Sequence, residues 1–202
     1  MAERANRKES GMDYRKAKTD RRILYTKMVL RESLLELMRK KPIGKISPTE
    51  LCRHADINRN TFYAHYLSPE SLLTSIEDEL YAEINRSLTD SPTDGNVLGM
   101  LTEILKAIRK NGDLCKVLFS ERGDKDFLRR IVNIAREKCV AAWRAAGMTD
   151  EGGQVEMLYN YTAGGSVAVI EGWIRGDMAS SPEEVARFIA KATAYGQQAF
   201  LR

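Results

Sequence analysis

Hydrophobic positions recur at helical spacing along most of the chain. Such segments span about 19–38, 48–55, 59–66, 69–87, 96–110, 113–120, 124–146, 151–175 and 182–201. The turns between the later helices are predicted at S-P-T-D-G (91–95), Asn111-Gly112, Arg122-Gly123, Gly147 and Gly176-Asp177. No segment alternates with period two for long enough to predict a strand, and β-branched residues are sparse. We therefore predict an all-α fold of about nine helices.

Residues 46–67 (I-S-P-T-E-L-C-R-H-A-D-I-N-R-N-T-F-Y-A-H-Y-L) predict two short helices joined by a tight turn. Ser47 can cap the first helix with Pro48 at its first position, and Glu50 can reach back to the cap. Asp56 tolerates the left-handed conformation of a tight turn. Asn58 then caps a second helix over about 59–66. This arrangement predicts a helix-turn-helix, whose second helix lies in the DNA major groove.

The side chains of that second helix suit contact with DNA. Arg59 can pair with guanine O6 and N7, Asn60 with adenine N6 and N7, and the Thr61 methyl with the thymine methyl. Tyr63 and His65 are better placed for phosphate oxygens, which fix register without reading sequence. The helix carries no carboxylate, a group that a phosphate-lined groove would repel. The predicted DNA-binding residues are Ser47, Thr49, Arg59, Asn60, Thr61, Tyr63 and His65.

A generic pair of amphipathic helices would share part of this pattern, since Phe62 and Tyr66 are spaced to face inward. The charge distribution distinguishes the two interpretations. Residues 1–67 contain 16 Lys or Arg and 8 Asp or Glu, a balance of +8, whereas residues 68–202 contain 16 and 20, a balance of −4. This asymmetry favours a nucleic-acid-binding module joined to a mildly acidic remainder.

Residues 1–18 are polar and rich in Lys and Arg. No apolar core follows these charges, so the segment is not expected to be a signal peptide. A flexible, solvated arm is the default prediction, and an arm that follows the DNA backbone or enters the minor groove is the functional alternative. The predicted domains are this arm (1–18), a DNA-binding domain (19–67) and a helical effector-sensing and dimerisation domain (68–202).

The residues from Ile46 to Leu73 resemble the DNA-binding domain of TetR-family transcriptional regulators. The matching pieces are Glu50-Leu51, Ala55, Ile57, Thr61-Phe62-Tyr63, His65-Tyr66 and Ser68 through Leu73, and residues 19–38 are similar to the family's first helix. Asp56 stands where the family usually has Gly, Asn60 where it often has Gly or Ala, and Pro69 where Lys or Arg commonly contacts phosphate. The free N–H groups at the start of the helix after Pro69 can replace that contact.

The last two predicted helices carry a second clue. The segment from Val155 to Ile174 is apolar nearly all round, and Glu156, Asn160 and Glu171 interrupt it too often for a membrane span. Both helices either complete the core of one chain or pair with a second copy. The resemblance implies a homodimer formed through these two helices. Its operator would be nearly palindromic, with half-sites about 34 Å apart or a multiple of that distance.

The resemblance also implies an effector site among the middle helices, with apolar and aromatic walls. The candidates are Cys115, Trp143, Tyr159, Tyr161 and Trp173, with Asn160 as a further polar group. Each has an alternative place in the core or in the dimer interface. The string G-G-S-V-A-V-I-E-G-W-I-R-G-D-M-A-S-S-P-E-E-V-A resembles regulators of dihydroxyacetone-kinase operons. The effector is therefore either a small molecule or a protein.

Catalysis, cofactors and metal sites are not expected. The two histidines, His54 and His65, lie in the predicted DNA-binding domain, and no nucleophile-base order or phosphate loop is present. Cys52, Cys115 and Cys139 are isolated, which favours buried, reduced thiols in a cytoplasmic protein over metal ligands, disulfides or a redox switch.

The sequence as a whole favours a homodimeric repressor that an effector releases from its operator. The alternatives are an activator or a regulator controlled by a partner protein, a non-sensing architectural DNA-binding protein, and, more distantly, an enzyme with an accessory DNA-binding domain.

Overall fold

The computed structural model describes residues 2–90, 96–120 and 125–198, with side chains described for 20–88, 96–120, 126–150 and 152–198. Within those ranges the regular elements are all helical, which confirms the predicted all-α class. The α-helices are α1 (Ala2–Met38), α2 (Pro48–His54), α3 (Arg59–Tyr63), α4 (Pro69–Asp90), α5 (Val97–Lys110), α6 (Gly112–Leu118), α7 (Lys125–Asn133), α8 (Arg136–Ala145), α9 (Gln154–Arg175) and α10 (Pro182–Gln198). The predicted loop at 91–95, the predicted turn at Arg122-Gly123 and the end of the last predicted helix lie outside the described residues.

The chain divides into two compact units, Met1–Ile76 and Glu77–Arg202. We call them the N-terminal unit and the C-terminal unit. The division falls inside α4 rather than between residues 67 and 68, where the sequence placed the domain boundary. The first two turns of α4 carry buried Leu72, Leu73 and Ile76, and they belong to the N-terminal unit.

The segment for which the sequence predicts a flexible arm, residues 2–18, is the N-terminal part of α1 in the structure. Further along α1, the side chains of Leu30, Leu34 and Met38 are completely buried. Their spacing of four residues places them in one stripe, and α1 packs through its apolar face against α2. The stripe forms one wall of the N-terminal core.

The prediction of a single helix over 124–146 is wrong, because the structure has two helices in this range, α7 and α8. At the break, the Ile134 amide donates to the Ile131 carbonyl at 3.1 Å, and the Ala135 amide donates to the Val132 carbonyl at 3.2 Å. These bonds span three residues rather than four, so the helix tightens and changes direction. Neither Gly nor Pro marks this position in the sequence.

In the C-terminal unit, α10 packs against α5 and α9. Its buried side is formed by Val185, Ala186 and Ile189. The opposite side carries Phe188 and Tyr195, which are 62% and 63% exposed. Helix α10 therefore has two apolar sides, of which a single chain covers one.

Helix α9 shows the same division. It buries Leu158, Ile170 and Ile174, while Met157 and Tyr161 are largely exposed. The sequence predicts burial on several sides for this helix, and one chain alone provides it on one side.

Candidate nucleic-acid interface

The start of α2 is capped as the sequence predicts. Ser47 has an extended backbone, its hydroxyl oxygen accepts from the Glu50 amide at 3.2 Å, and Pro48 occupies the first helical position. The Glu50 carboxylate reaches back to the backbone of Ser47, as predicted, and it also accepts from Lys41 Nζ at 2.5 Å. This hydrogen bond lowers the pKa of the Glu50 carboxyl. The pair ties α2 to the segment that follows α1.

The turn between α2 and α3 has the left-handed conformation predicted for it. Asp56 has a φ of 51°, which lies in the left-handed region that residues other than Gly, Asn and Asp rarely occupy. The next amide, that of Ile57, donates to the Cys52 carbonyl at 2.9 Å. A short polar side chain therefore occupies the left-handed position of this turn.

We predict that the residue at position 56 affects stability through its backbone conformation. Asp56→Val should lower the free energy of unfolding by about 1–2 kcal/mol, because a β-branched side chain is strained in this conformation. Asp56→Gly should change it by less than about 1 kcal/mol. Urea unfolding followed by circular dichroism measures both, with Asp56→Asn as the matched control. Equal losses for valine and glycine would show that the Asp56 side chain, not the backbone, is what matters.

Helix α3 begins at the predicted cap and ends earlier than predicted. The Asn58 side-chain oxygen accepts from the Asn60 amide at 2.8 Å. The helix runs to Tyr63 rather than to Tyr66, since the amides of His65 and Tyr66 both donate to the Phe62 carbonyl in a closing turn. Phe62 is completely buried, and its ring centroid lies 6.1 Å from that of half-buried Tyr66. Phe62 therefore fixes α3 to the core of the N-terminal unit.

The predicted DNA-binding side chains lie on the surface of this unit. Those at the start of α2 and along α3 are exposed, and His65 is partly exposed. The exposed set is Ser47, Thr49, Arg59, Asn60, Thr61 and Tyr63. The structure thus presents hydroxyl, amide and guanidinium groups at the surface of a capped helix whose buried residue is aromatic.

Two of these side chains contact each other. The Arg59 guanidinium carbon lies 5.8 Å from the centre of the Tyr63 ring, and its Nη2 donates to the Tyr63 hydroxyl at 3.4 Å. This hydrogen bond raises the pKa of Arg59 further above its already high ordinary value. The Arg59 guanidinium therefore stays positively charged throughout the physiological pH range. The sequence assigned separate roles to these residues and did not predict their contact.

Four of the five candidate effector residues are buried, and Tyr161 is exposed. Trp143 and Tyr159 are buried with ring centroids 6.3 Å apart, and the Tyr159 hydroxyl donates to Asn133 Oδ1 at 2.9 Å. Burial raises the pKa of Tyr159 to about 12. The Trp173 indole N–H donates to the Ser180 carbonyl at 2.9 Å, where it closes the turn between α9 and α10.

Tyr161 differs from the other four candidates because it is 78% exposed. It lines an open groove of about 560 Å³ between α9 and α10, together with Asn160, Gly164, Gly165 and Phe188. The groove continues the exposed apolar side of α10. Tyr161 therefore lies on the outer surface of the helix pair, away from the Trp143–Tyr159 contact.

All three cysteines are buried with free thiols, as predicted. Burial raises the pKa of Cys115 to about 12 and that of Cys139 to about 11. Thiols with raised pKa values are poor nucleophiles, which argues against a redox role for either residue. Across the described ranges, no helix is both long enough and apolar enough to cross a membrane.

Residues 95–194 match the family model TetR_C_8, a transcriptional regulator C-terminal region. The fold is similar to that of a TetR transcriptional regulator from Streptococcus agalactiae 2603V, with a TM-score of 0.65 and 21% identity over 88% of this chain and 98% of that one. It is also similar to the dihydroxyacetone kinase operon activator DhaS, with a TM-score of 0.60 and 19% identity over 88% and 98% of the two chains.

A third similar structure is the fatty acid degradation regulator FadR from Bacillus halodurans, with a TM-score of 0.62 and 9% identity over 83% and 94% of the two chains. No curated protein sequence matches the chain. At these identities the solved structures establish a shared fold.

Proposed function

Because the chain belongs to the TetR family of transcriptional regulators, we propose that it is a homodimeric repressor that binds a near-palindromic operator and is released by an effector. The observation that carries the DNA-binding part is the surface of α3, which exposes Arg59, Asn60 and Thr61 and has no carboxylate. Two such helices related by a two-fold axis would contact half-sites about one helical turn apart, or a multiple of it.

The exposed side of α9 and α10 supports the proposed dimer. Met157, Tyr161, Phe188 and Tyr195 are each more than 60% exposed in the single chain. We call these four residues, with Gly164 and Gly165 between them, the dimer face. Large apolar groups concentrated on two adjacent helices mark an interaction surface. A two-fold dimer would cover the same face on both copies.

Two glycines within α9 also favour a close partner. Gly164 and Gly165 lie in the middle of the helix, where glycine costs about 1 kcal/mol each relative to alanine. Apart from the chain neighbours and the backbone of the same helix, a Cβ atom built on either residue would meet no atom of the described residues within 4 Å. The fold of one chain therefore does not require glycine at these positions, whereas a second helix that packs closely against the dimer face would.

For release, we propose an effector that binds the C-terminal unit near Trp143 and Tyr159. The buried pair offers apolar walls and a hydroxyl that is joined to Asn133. An effector acts by binding one conformation more tightly than another, so release requires higher affinity for the conformation that cannot bind DNA. Cys115 and Trp173, the other buried candidates, would also contact the effector.

The second candidate function is activation under the control of a partner protein. Two observations favour it. The fold resembles that of DhaS, which is named as an operon activator, and the C-terminal string resembles regulators of that operon type. A third possibility is architectural DNA binding without sensing. Repression and activation differ in operator position relative to the promoter, and architectural binding differs from both in sequence selectivity.

Retention of genomic DNA fragments tests the proposal. Purified protein is mixed with fragmented DNA of its own genome at about 0.15 M salt, where non-specific phosphate binding is weak, and retained fragments are sequenced. A few fragments that share an inverted repeat support the dimeric operator-binding protein. Uniform recovery would identify architectural binding and overturn the proposal. A transcription assay on a retained promoter, with and without the protein, then separates repression from activation.

We predict that Asn60 discriminates between bases at one operator position. Asn60→Ala should reduce the preference for the correct base by about 1–3 kcal/mol there and leave the other positions unchanged, because an amide can bond adenine at two atoms. The measurement is affinity for the operator and for each single-base variant of one half-site. The control is Thr74→Ala, at an exposed position of α4, which should leave the preference at every operator position unchanged. An equal loss on operator and random DNA would assign Asn60 to the backbone instead.

A further inference from the structure

The contact between Arg59 and Tyr63 lies on the surface that carries the predicted base contacts. The two residues are four positions apart on α3, so their side chains share one face of the helix. The guanidinium lies over the ring in a cation–π arrangement, and the hydrogen bond to the phenol adds a second contact. Both side chains are exposed, so the contact contributes little to the core.

The Tyr63 ring is itself held in place. Its centroid lies 5.4 Å from that of Phe62 with the planes inclined at 68°, an edge-to-face contact of the favourable type. Because Phe62 is completely buried, it transmits the rigidity of the core to the surface ring of Tyr63. Tyr63 thus offers Arg59 a fixed platform.

The backbone of Arg59 is fixed by the helix cap. Arg59 is the first residue of α3, directly after Asn58, whose side chain accepts from the Asn60 amide. The long Arg59 side chain is then the remaining mobile part of the group. A guanidinium recognises guanine through two parallel hydrogen bonds, so it loses less entropy on binding if its plane is already oriented.

We propose that Tyr63 is a positioning residue for Arg59 and sets base discrimination through it, in addition to the phosphate contact predicted for its hydroxyl. The ring restricts the guanidinium plane, and the hydrogen bond to the hydroxyl, which is long at 3.4 Å, contributes little to this restriction. Tyr63 therefore affects both general affinity and the preference at the single base pair that Arg59 contacts. This inference rests on the proposed function as an operator-binding protein.

The test compares four variants on the operator and on all single-base variants of one half-site. Arg59→Ala identifies the position that Arg59 contacts, with an expected loss of discrimination there of about 5- to 150-fold. Tyr63→Leu removes the aromatic face and should lose about 2- to 5-fold at the same position. Tyr63→Phe keeps the ring and should retain that discrimination while it weakens all sequences alike. Adding Tyr63→Leu to Arg59→Ala should cause no further loss of discrimination.

His65→Ala is the matched control, because it lies in the turn after α3 and should weaken all sequences alike. Circular dichroism verifies that each variant is folded. Uniform weakening by Tyr63→Leu, with discrimination intact, would overturn the inference and leave Tyr63 as a phosphate contact. Increased discrimination in Tyr63→Leu would also overturn it, because Tyr63 would then hold Arg59 away from the base. Failure of the wild-type protein to select an operator would instead overturn the proposed function.

Discussion

Phe62→Ala is expected to destabilise the N-terminal unit by about 3–5 kcal/mol and to abolish selective DNA binding. The ring is completely buried. Its removal therefore has two costs, the lost free energy of transfer from water and the free energy of the cavity that remains. It also removes the edge-to-face contact that holds Tyr63, and the residue that fixes α3 to the core. A small unit has little stability to spare, so a loss of this size unfolds a large fraction of it.

The positions of the tryptophans allow this effect to be located. Both tryptophans of the chain, Trp143 and Trp173, belong to the C-terminal unit. In a urea titration of Phe62→Ala, circular dichroism should therefore show part of the helical signal lost at lower urea, while the tryptophan fluorescence transition stays near its wild-type midpoint.

Leu67→Ala is the matched control for Phe62→Ala, because Leu67 is 86% exposed at the end of the same segment. It should change the unfolding midpoint little. If Phe62→Ala shifted the circular dichroism and fluorescence transitions together, the two units would unfold cooperatively. If it left the circular dichroism transition unchanged, the described burial of Phe62 would be contradicted.

The features of the helix-turn-helix that were predictable from sequence are those set by near neighbours in the chain. The Asn58 cap and the left-handed Asp56 each depend on one residue and the backbone within a few positions of it. The Lys41–Glu50 pair links residues nine positions apart, and other lysines and arginines lie at comparable separations. Only the path of the chain between α1 and α2 selects Lys41.

The candidate effector site shows why residue type alone is insufficient. The sequence predicts Tyr159 and Tyr161 as effector residues for the same reason, because both are aromatic residues of one predicted helix. Residues two positions apart point about 200° away from each other around a helix, so the two rings cannot line one pocket from one side. The structure places Tyr159 in the core and Tyr161 on the dimer face. An apolar segment with no polar side left the helix phase undetermined in the sequence.

The sequence also leaves undetermined which apolar residues of α10 face the core and which face outward. Val185 and Ile189 pack inward, and Phe188 and Tyr195 point outward with a spacing of seven residues. The sequence pattern combined both sets into one apolar stripe. Because the inner set suffices to pack α10 onto α5 and α9, the outer set is free to serve association, and its substitution can separate association from folding.

Phe188→Lys is therefore expected to abolish self-association while the chain stays folded. Phe188 is 62% exposed in the single chain, so lysine there can remain hydrated in a monomer. In a two-fold dimer each copy would bury an uncompensated charge, at a cost of about 3–5 kcal/mol for an unpaired buried charge. Because the dimer contains two such charges, its dissociation constant should rise by about 10⁴-fold or more, and sedimentation equilibrium should detect the monomer.

Operator binding should follow the loss of the dimer. A monomer presents one copy of α3, so Phe188→Lys should bind a single half-site about as well as the wild-type monomer does and lose the preference for an inverted repeat. Ala82→Lys adds the same charge at an exposed position of α4 and should leave both association and operator binding unchanged. A Phe188→Lys protein that still forms a dimer would show that another surface joins the two copies. The dimer face would then serve as a binding surface for a different partner.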